Sequence, residues 1–140
     1  MKFELKKGSV YTSTGVKEFL EPVINSLKIT FPTADILVRG NSSFAVLDLY
    51  DLCEENGLHY LIKLKVNSYL HQLASVTTSQ FLEHYKLDYS KYHEHFDDFQ
   101  YQAVGLIKRR VICKVERAAR ELVPRTTYIV TSLSLDSMIL

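Results

Sequence analysis

The stretch Arg39-Gly40-Asn41-Ser42-Ser43-Phe44 is where residue types and spacing come closest to chemistry. A short apolar run, Ile36-Leu37-Val38, leads straight into it, as in a central strand covered on both faces. A polar side chain leaving the carboxyl end of such a strand has buried backbone behind it and a helix start ahead of it. In an open parallel α/β sheet, ligands bind at that rim. The helix start also favours anions nearby. A plainer reading competes: Gly40-Asn41 makes a turn, and Ser42 or Ser43 caps the helix that follows. No Gly-x-Ser-x-Gly surrounds these serines, so a strained nucleophile elbow is excluded.

Basic side chains form the second candidate group. Lys63 and Lys65, two apart, share a strand face, and Lys108-Arg109-Arg110 with Lys114 and Arg117 is the densest cluster. Such residues can grip DNA phosphates, which positions a protein on the duplex without reading its sequence. They can equally be a solvated charge run. His93 and His95 would share a face if they lie on a strand, with His84, Asp97 and Asp98 nearby, but the spacing is loose for a transition-metal site. Tyr85, Tyr89, Tyr92 and Tyr101 could stack on bases. Tyrosines in such numbers more often cover a small sheet.

The elements that must position these residues follow from periodicity. Val16, Phe19, Leu20, Val23, Ile24, Leu27 and Phe31 recur at steps of three and four, predicting a helix over 16–31. Ser13 and Thr14 are candidate N-caps. Pro22 should kink it or leave the Glu18 carbonyl unbonded, and Pro32 should stop it. A second helix is expected from about Phe44, with Asn56-Gly57 as a left-handed C-cap. Leu58–Val66 alternates as a strand with one wetter face. Strand, turn, helix, cap and strand in ~30 residues make a βαβ unit whose strands should be parallel. Helical stretches are expected over 69–74 and 79–85, and strands over 111–116 and 128–133. No helical segment of ten or more separates those late strands, so they should pair antiparallel.

Bulk properties bound the rest. A chain of 140 residues with 46% hydrophobic and 24% charged content fits one compact domain with a real core. Seventeen basic against sixteen acidic residues give a net charge of +1, so a DNA contact must be a local patch. Cys53 and Cys113 lack metal-ligand spacing and read as free thiols of a reducing compartment. No apolar run approaches the ~20 residues of a membrane span, and the start lacks a signal peptide's apolar stretch. A soluble, cytoplasmic protein is expected, with no membrane partner.

The run from Ala34 to Ala45, followed by Leu49-Tyr50 and Cys53-Glu54-Glu55-Asn56-Gly57, resembles bacterial insertion-sequence transposases. It is similar to the DDE group whose second catalytic strand reads L-x-R-G-D-S-G-F. Leu5–Val10 and Gly15–Leu27 match the segment before that strand, and Tyr60–Lys65 the strand after it. Arg109-Arg110-Val111, Lys114-Val115-Glu116 and Tyr128–Leu133 resemble the β-rich region inserted between the family's second and third acidic residues. The resemblance implies a partial ribonuclease-H-like α/β core over 1–67 and an inserted, mostly β subdomain over 68–140. It also implies transposon-end DNA as partner, with Arg39, Lys63, Lys65, Lys108, Arg109, Arg110 and Lys114 as its contacts.

In that family two Mg²⁺ (or Mn²⁺) ions ~3.5–4 Å apart clamp a phosphodiester, one activating the attacking oxygen and one steadying the leaving oxygen. Three acids hold them: one from the first sheet strand, one at the end of the fourth, and one from a late helix. Here the second acid's position, catalytic and metal-binding, is Asn41, whose neutral amide turns an NH₂ donor to one side. The family's glycine two residues on is Ser43. The first and third acids match nothing between Met1 and Leu140. The expectation is an internal fragment of a cut-and-paste transposase that binds no metal and does not cut DNA alone. A non-catalytic DNA- or protein-binding remnant, or a domain that dimerises through an unpaired sheet edge, are the alternatives.

Overall fold

The computed structural model describes residues 15–85, 89–102 and 107–134. Helix α1 (Val16–Thr30) starts at Gly15, whose left-handed backbone (φ 74°) supplies the cap position without a side-chain bond. Ser13 and Thr14, the candidate caps, lie outside the described residues. Pro22 does not interrupt α1. Pro22 and Glu18 are both exposed, so water can meet the carbonyl that the missing N–H leaves free. The helix ends at Phe31, ahead of Pro32.

Strand β1 (Leu37–Gly40) runs parallel to β2 (His59–Lys63), with Arg39 opposite Leu61, and helix α2 (Leu47–Glu55) links them. This is the βαβ unit the sequence implies. Its helix begins three residues later than expected, because a single 3₁₀ turn, Ser42–Phe44, comes first. At the far end of α2 the Leu58 N–H bonds the Cys53 carbonyl at 2.8 Å and the Gly57 N–H bonds that of Glu54 at 3.4 Å. This double closure needs the left-handed φ of 68° at Gly57.

Helices α3 (Ser68–Leu73) and α4 (Ser75–Tyr85) lead to an antiparallel meander of β3 (His93–Tyr101), β4 (Arg109–Arg117) and β5 (Arg125–Thr131). β5 pairs antiparallel with β2, giving one mixed sheet of order β1-β2-β5-β4-β3. The late strands therefore pair antiparallel as expected, and they extend the sheet that β1 and β2 begin.

Cross-strand register sorts the side chains onto two faces. Val38, Tyr60, Ile62, Val130, Tyr128, Val111, Cys113 and Val115 share one face and join Ile24, Leu49, Leu52, Leu70 and Phe81 of the helices in a single core. Tyr50 stacks on Tyr60 with ring centroids 5.2 Å apart. Side-chain hydrogen bonds pin the later helices there too: Tyr128 Oη lies 2.9 Å from His71 Nδ1, and Thr77 Oγ1 donates to Asp97 Oδ2 at 2.7 Å. Truncating one such core leucine typically costs ~2–5 kcal/mol.

The opposite face carries Leu37, Arg39, His59, Leu61, Lys63, Ile129, Ile112, Arg110 and Lys114, and none of these belongs to the helix-packed core. The Ile36-Leu37-Val38 run departs from the strand expected of it. β1 is not a central strand sealed on both faces: it is an edge of the described sheet, and Leu37 is 46% exposed. Three apolar residues in a row cannot distinguish a strand covered twice from an edge strand covered once.

Candidate nucleic-acid interface

Asn41 follows directly on the last residue of β1, at the strand's carboxyl end. Its backbone is extended (φ −81°, ψ −178°), and its carbonyl accepts the Phe44 N–H at 3.0 Å to close the 3₁₀ turn. Its side-chain Oδ1 accepts the Ser43 N–H at 3.0 Å. The turn is thus capped by Asn41 itself, not by Ser42 or Ser43. That bond fixes the amide: the oxygen faces back into the turn, so the NH₂ is the free arm.

Gly40 makes this corner tight. A Cβ there would sit 3.1 Å from Ile62 Cδ1 and 3.2 Å from Phe44 Cβ, so those neighbours would have to give by a few tenths of an ångström.

Beside the corner lies an open cleft of about 470 Å³ lined by Arg39, Gly40, Asn41, Leu61, Lys63 and Ile129. Arg39 lies across from Leu61 and Lys63 across from Ile129, so β1, β2 and β5 supply its floor. Arg39 and Lys63 are exposed and have no acidic partner among the described residues. Three residues singled out from sequence, Arg39, Asn41 and Lys63, meet in this cleft. Lys65 and Lys108 are exposed and likewise have no acidic partner there, but neither lines the cleft.

The densest basic cluster behaves differently. Arg109 is turned under the helices, 7% exposed, with Nε and Nη2 donating to the two Glu54 oxygens at 2.9 and 3.1 Å. Asp51 lies 3.6 Å away and the Tyr50 ring centroid 5.0 Å away. Glu54 also accepts from Tyr60 Oη at 2.8 Å. The Arg109 guanidinium beside it holds the Glu54 carboxyl below the usual carboxylate range, against the opposing effect of burial. Burial pushes the Tyr50 phenol up to about 12. Arg109 thus ties β4 to α2 and offers no surface for DNA. Alternation along β4 places it on the core face, and a run of three basic residues hides that alternation in the sequence.

Arg110 faces the open side, yet it donates to Asp98 at 2.6 Å and to the Leu133 carbonyl at 2.9 Å. Lys114 sits 3.1 Å from Glu116 and 3.6 Å from Glu94. Arg117 is 1% exposed and lies over the Tyr89 ring at 4.6 Å. Acids of α2, β3 and β4 meet Arg109, Arg110 and Lys114, pairings that a one-dimensional reading of charge does not reveal.

The histidines and tyrosines resolve toward structure. His93 and His95 do share a face of β3, but no three His, Cys, Asp or Glu side chains group to hold a metal among the described residues. Tyr92 Oη donates to Glu116 at 2.6 Å, and Tyr101 Oη accepts from Asn67 at 3.2 Å. Tyr89 and Tyr101 cover the sheet as the plainer reading has it, while the Tyr85 side chain lies outside the described residues. No described helix is long and apolar enough to cross a membrane.

A family model described as transposase DDE domain group 1 matches residues 1–139. Comparison with curated proteins and with solved structures finds no match.

Proposed function

The chain belongs to the group 1 DDE transposase family, and from that premise we propose a transposase-derived domain that holds DNA by its backbone and does not cut it alone. The observation that carries this reading is the Asn41 corner opening on a cleft with two cations, Arg39 and Lys63, that have no acidic partner among the described residues.

Enzymes of this family work with divalent metal, so the donor set has to be tested against it. Hard cations want anionic oxygens. Position 41 offers a neutral amide whose oxygen already serves Ser43, and its cleft neighbours include Arg39 and Lys63 with no carboxylate. These residues do not fit a two-metal site. Residues 1–67 are assigned in this proposal to part of a ribonuclease-H-like core and 68–140 to its inserted β-rich region. A cytoplasmic location, alongside a bacterial element's DNA, goes with it.

Lys65 and Lys108 join Arg39 and Lys63 as phosphate contacts in this proposal, since all four are exposed with no acidic partner among the described residues. Their role is positioning, and it brings strong dependence on salt. The outer edge of β1 pairs with nothing among the described residues, which favours self-association as a second reading. Sedimentation across protein concentration, with no DNA affinity, would support that alternative.

The test of the leading reading is a supercoiled-plasmid assay with Mg²⁺ or Mn²⁺, run on the natural chain and on Asn41→Asp. Both should bind, neither should nick, and Asn41→Asp should gain modest metal affinity. Robust cleavage by either form would sink the reading.

A further inference from the structure

We propose that the Asn41 cleft takes a DNA backbone phosphodiester directly, with no divalent cation between protein and phosphate. This rests on the reading of the chain as a DNA-contacting transposase derivative and specifies what its site binds.

One hydrogen bond sets the polarity of the corner. Ser43 N–H reaches Asn41 Oδ1 at 3.0 Å, so the carbonyl side of the amide is committed to the turn. The other arm, Nδ2, carries two N–H donors with no partner among the described residues. A carboxylate at this position would accept the same Ser43 bond and turn a second anionic oxygen outward. The amide turns outward a donor instead. Exchanging oxygen for NH₂ at an otherwise identical corner changes the preferred guest from a cation to an anion.

The rest of the cleft agrees with that sign. Arg39 and Lys63 bring two positive charges, and neither meets a carboxylate among the described residues. Leu61 and Ile129 supply an apolar floor that leaves those donors without competing acceptors. A planar guanidinium, an ammonium and an amide NH₂ around one hollow form a donor set for tetrahedral oxyanions. A dication would meet two like charges there.

The source of the phosphate is separable from the chemistry. ¹⁵N-labelled protein in EDTA is titrated with inorganic phosphate in one arm and with a short DNA duplex in the other. In both arms the Asn41 side-chain NH₂ resonances should move, and Asn41→Asp should weaken phosphate binding by about tenfold, the loss of a hydrogen bond to a charged group. Asn41→Asp keeps the Ser43 bond, so its melting temperature should stay close to that of the natural chain. Phosphate binding that leaves the Asn41 amide still, that requires Mg²⁺, or that survives Asn41→Asp intact overturns the inference. Duplex binding with an unmoved Asn41 amide also overturns it, while leaving the DNA-contact reading standing. Movement with phosphate but no affinity for duplex keeps the anion site and removes DNA as its source.

Discussion

Replacing Glu54 should harm this protein more than replacing Arg109, although the two side chains share the same pair of bonds. The Arg109 side chain is 7% exposed and that of Glu54 36% exposed. Glu54→Ala takes both carboxylate bonds from a nearly buried guanidinium and leaves Asp51 at 3.6 Å and the Tyr50 ring among its neighbours. Breaking a fully buried pair from one side costs ~3–5 kcal/mol. Water already reaches a third of this carboxylate, so about 2–3 kcal/mol is the expected loss. Arg109→Met leaves the opposite remainder: a carboxylate that hydrates and keeps its Tyr60 bond, under a side chain that still fills the space. About 1 kcal/mol is expected there, mostly lost contact with Tyr50. Urea unfolding midpoints at unchanged m-value measure both. Acid supplies a second arm. Arg109 lowers the Glu54 pKa, so its contribution is present above the unfolded value of ~4.3 and is lost as pH falls through the lower native value. The gap in stability between the natural chain and Glu54→Gln should therefore close in that window. Arg109→Met costing as much as Glu54→Ala, or abolishing DNA binding in a folded protein, would refute the assignment of Arg109 to the interior.

Gly40→Ala should cost ~1–3 kcal/mol by urea unfolding and shift the Asn41 amide resonances, because its Cβ presses on Ile62 and Phe44. A neutral effect would mean the turn does not lie against β2 that closely. Gly57→Ala forces a methyl into a left-handed backbone at φ 68° and should cost ~1 kcal/mol in the same assay, with nothing sterically near to worsen it. Equal stability of the two proteins would contradict the cap geometry. Cys53 and Cys113 are both 0% exposed, and burial pushes each thiol up to about 11. Ellman's reagent at pH 8 should label them slowly in the native state and fast in urea; rapid native labelling of either would argue against the packing of α2 or β4.

Much of the positioning scaffold was legible in the amino-acid sequence. The stripe from Val16 to Leu27, the Asn56-Gly57 cap and the alternation of Leu58–Val66 rest on local periodicity and turn chemistry, and each appears in the structure. The Asn41 rim was legible for the same reason, since a strand end and a turn are local features. Two things were not. The edge position of β1 depends on which strand lies beside it, and nothing in Ile36-Leu37-Val38 carries that information. β3 was hidden because His93–Tyr101 is mostly polar, so its pairing partner, not its own hydrophobicity, makes it a strand. That hidden strand supplies Asp98, which binds Arg110, and Glu94, which joins Glu116 of β4 beside Lys114. Charge clusters are one-dimensional signals, and ion pairing across strands is a tertiary fact.

The salt dependence of duplex binding in EDTA, compared between the natural chain and Arg39→Ala/Lys63→Ala, tests most directly whether the open face beside Asn41 holds DNA. Each phosphate neutralised contributes roughly 0.9 to the slope of log K against log salt. Losing two cleft cations should therefore flatten that slope by roughly 1.8 while the melting temperature stays put. An unchanged slope in a folded double variant would place the DNA somewhere else on the molecule.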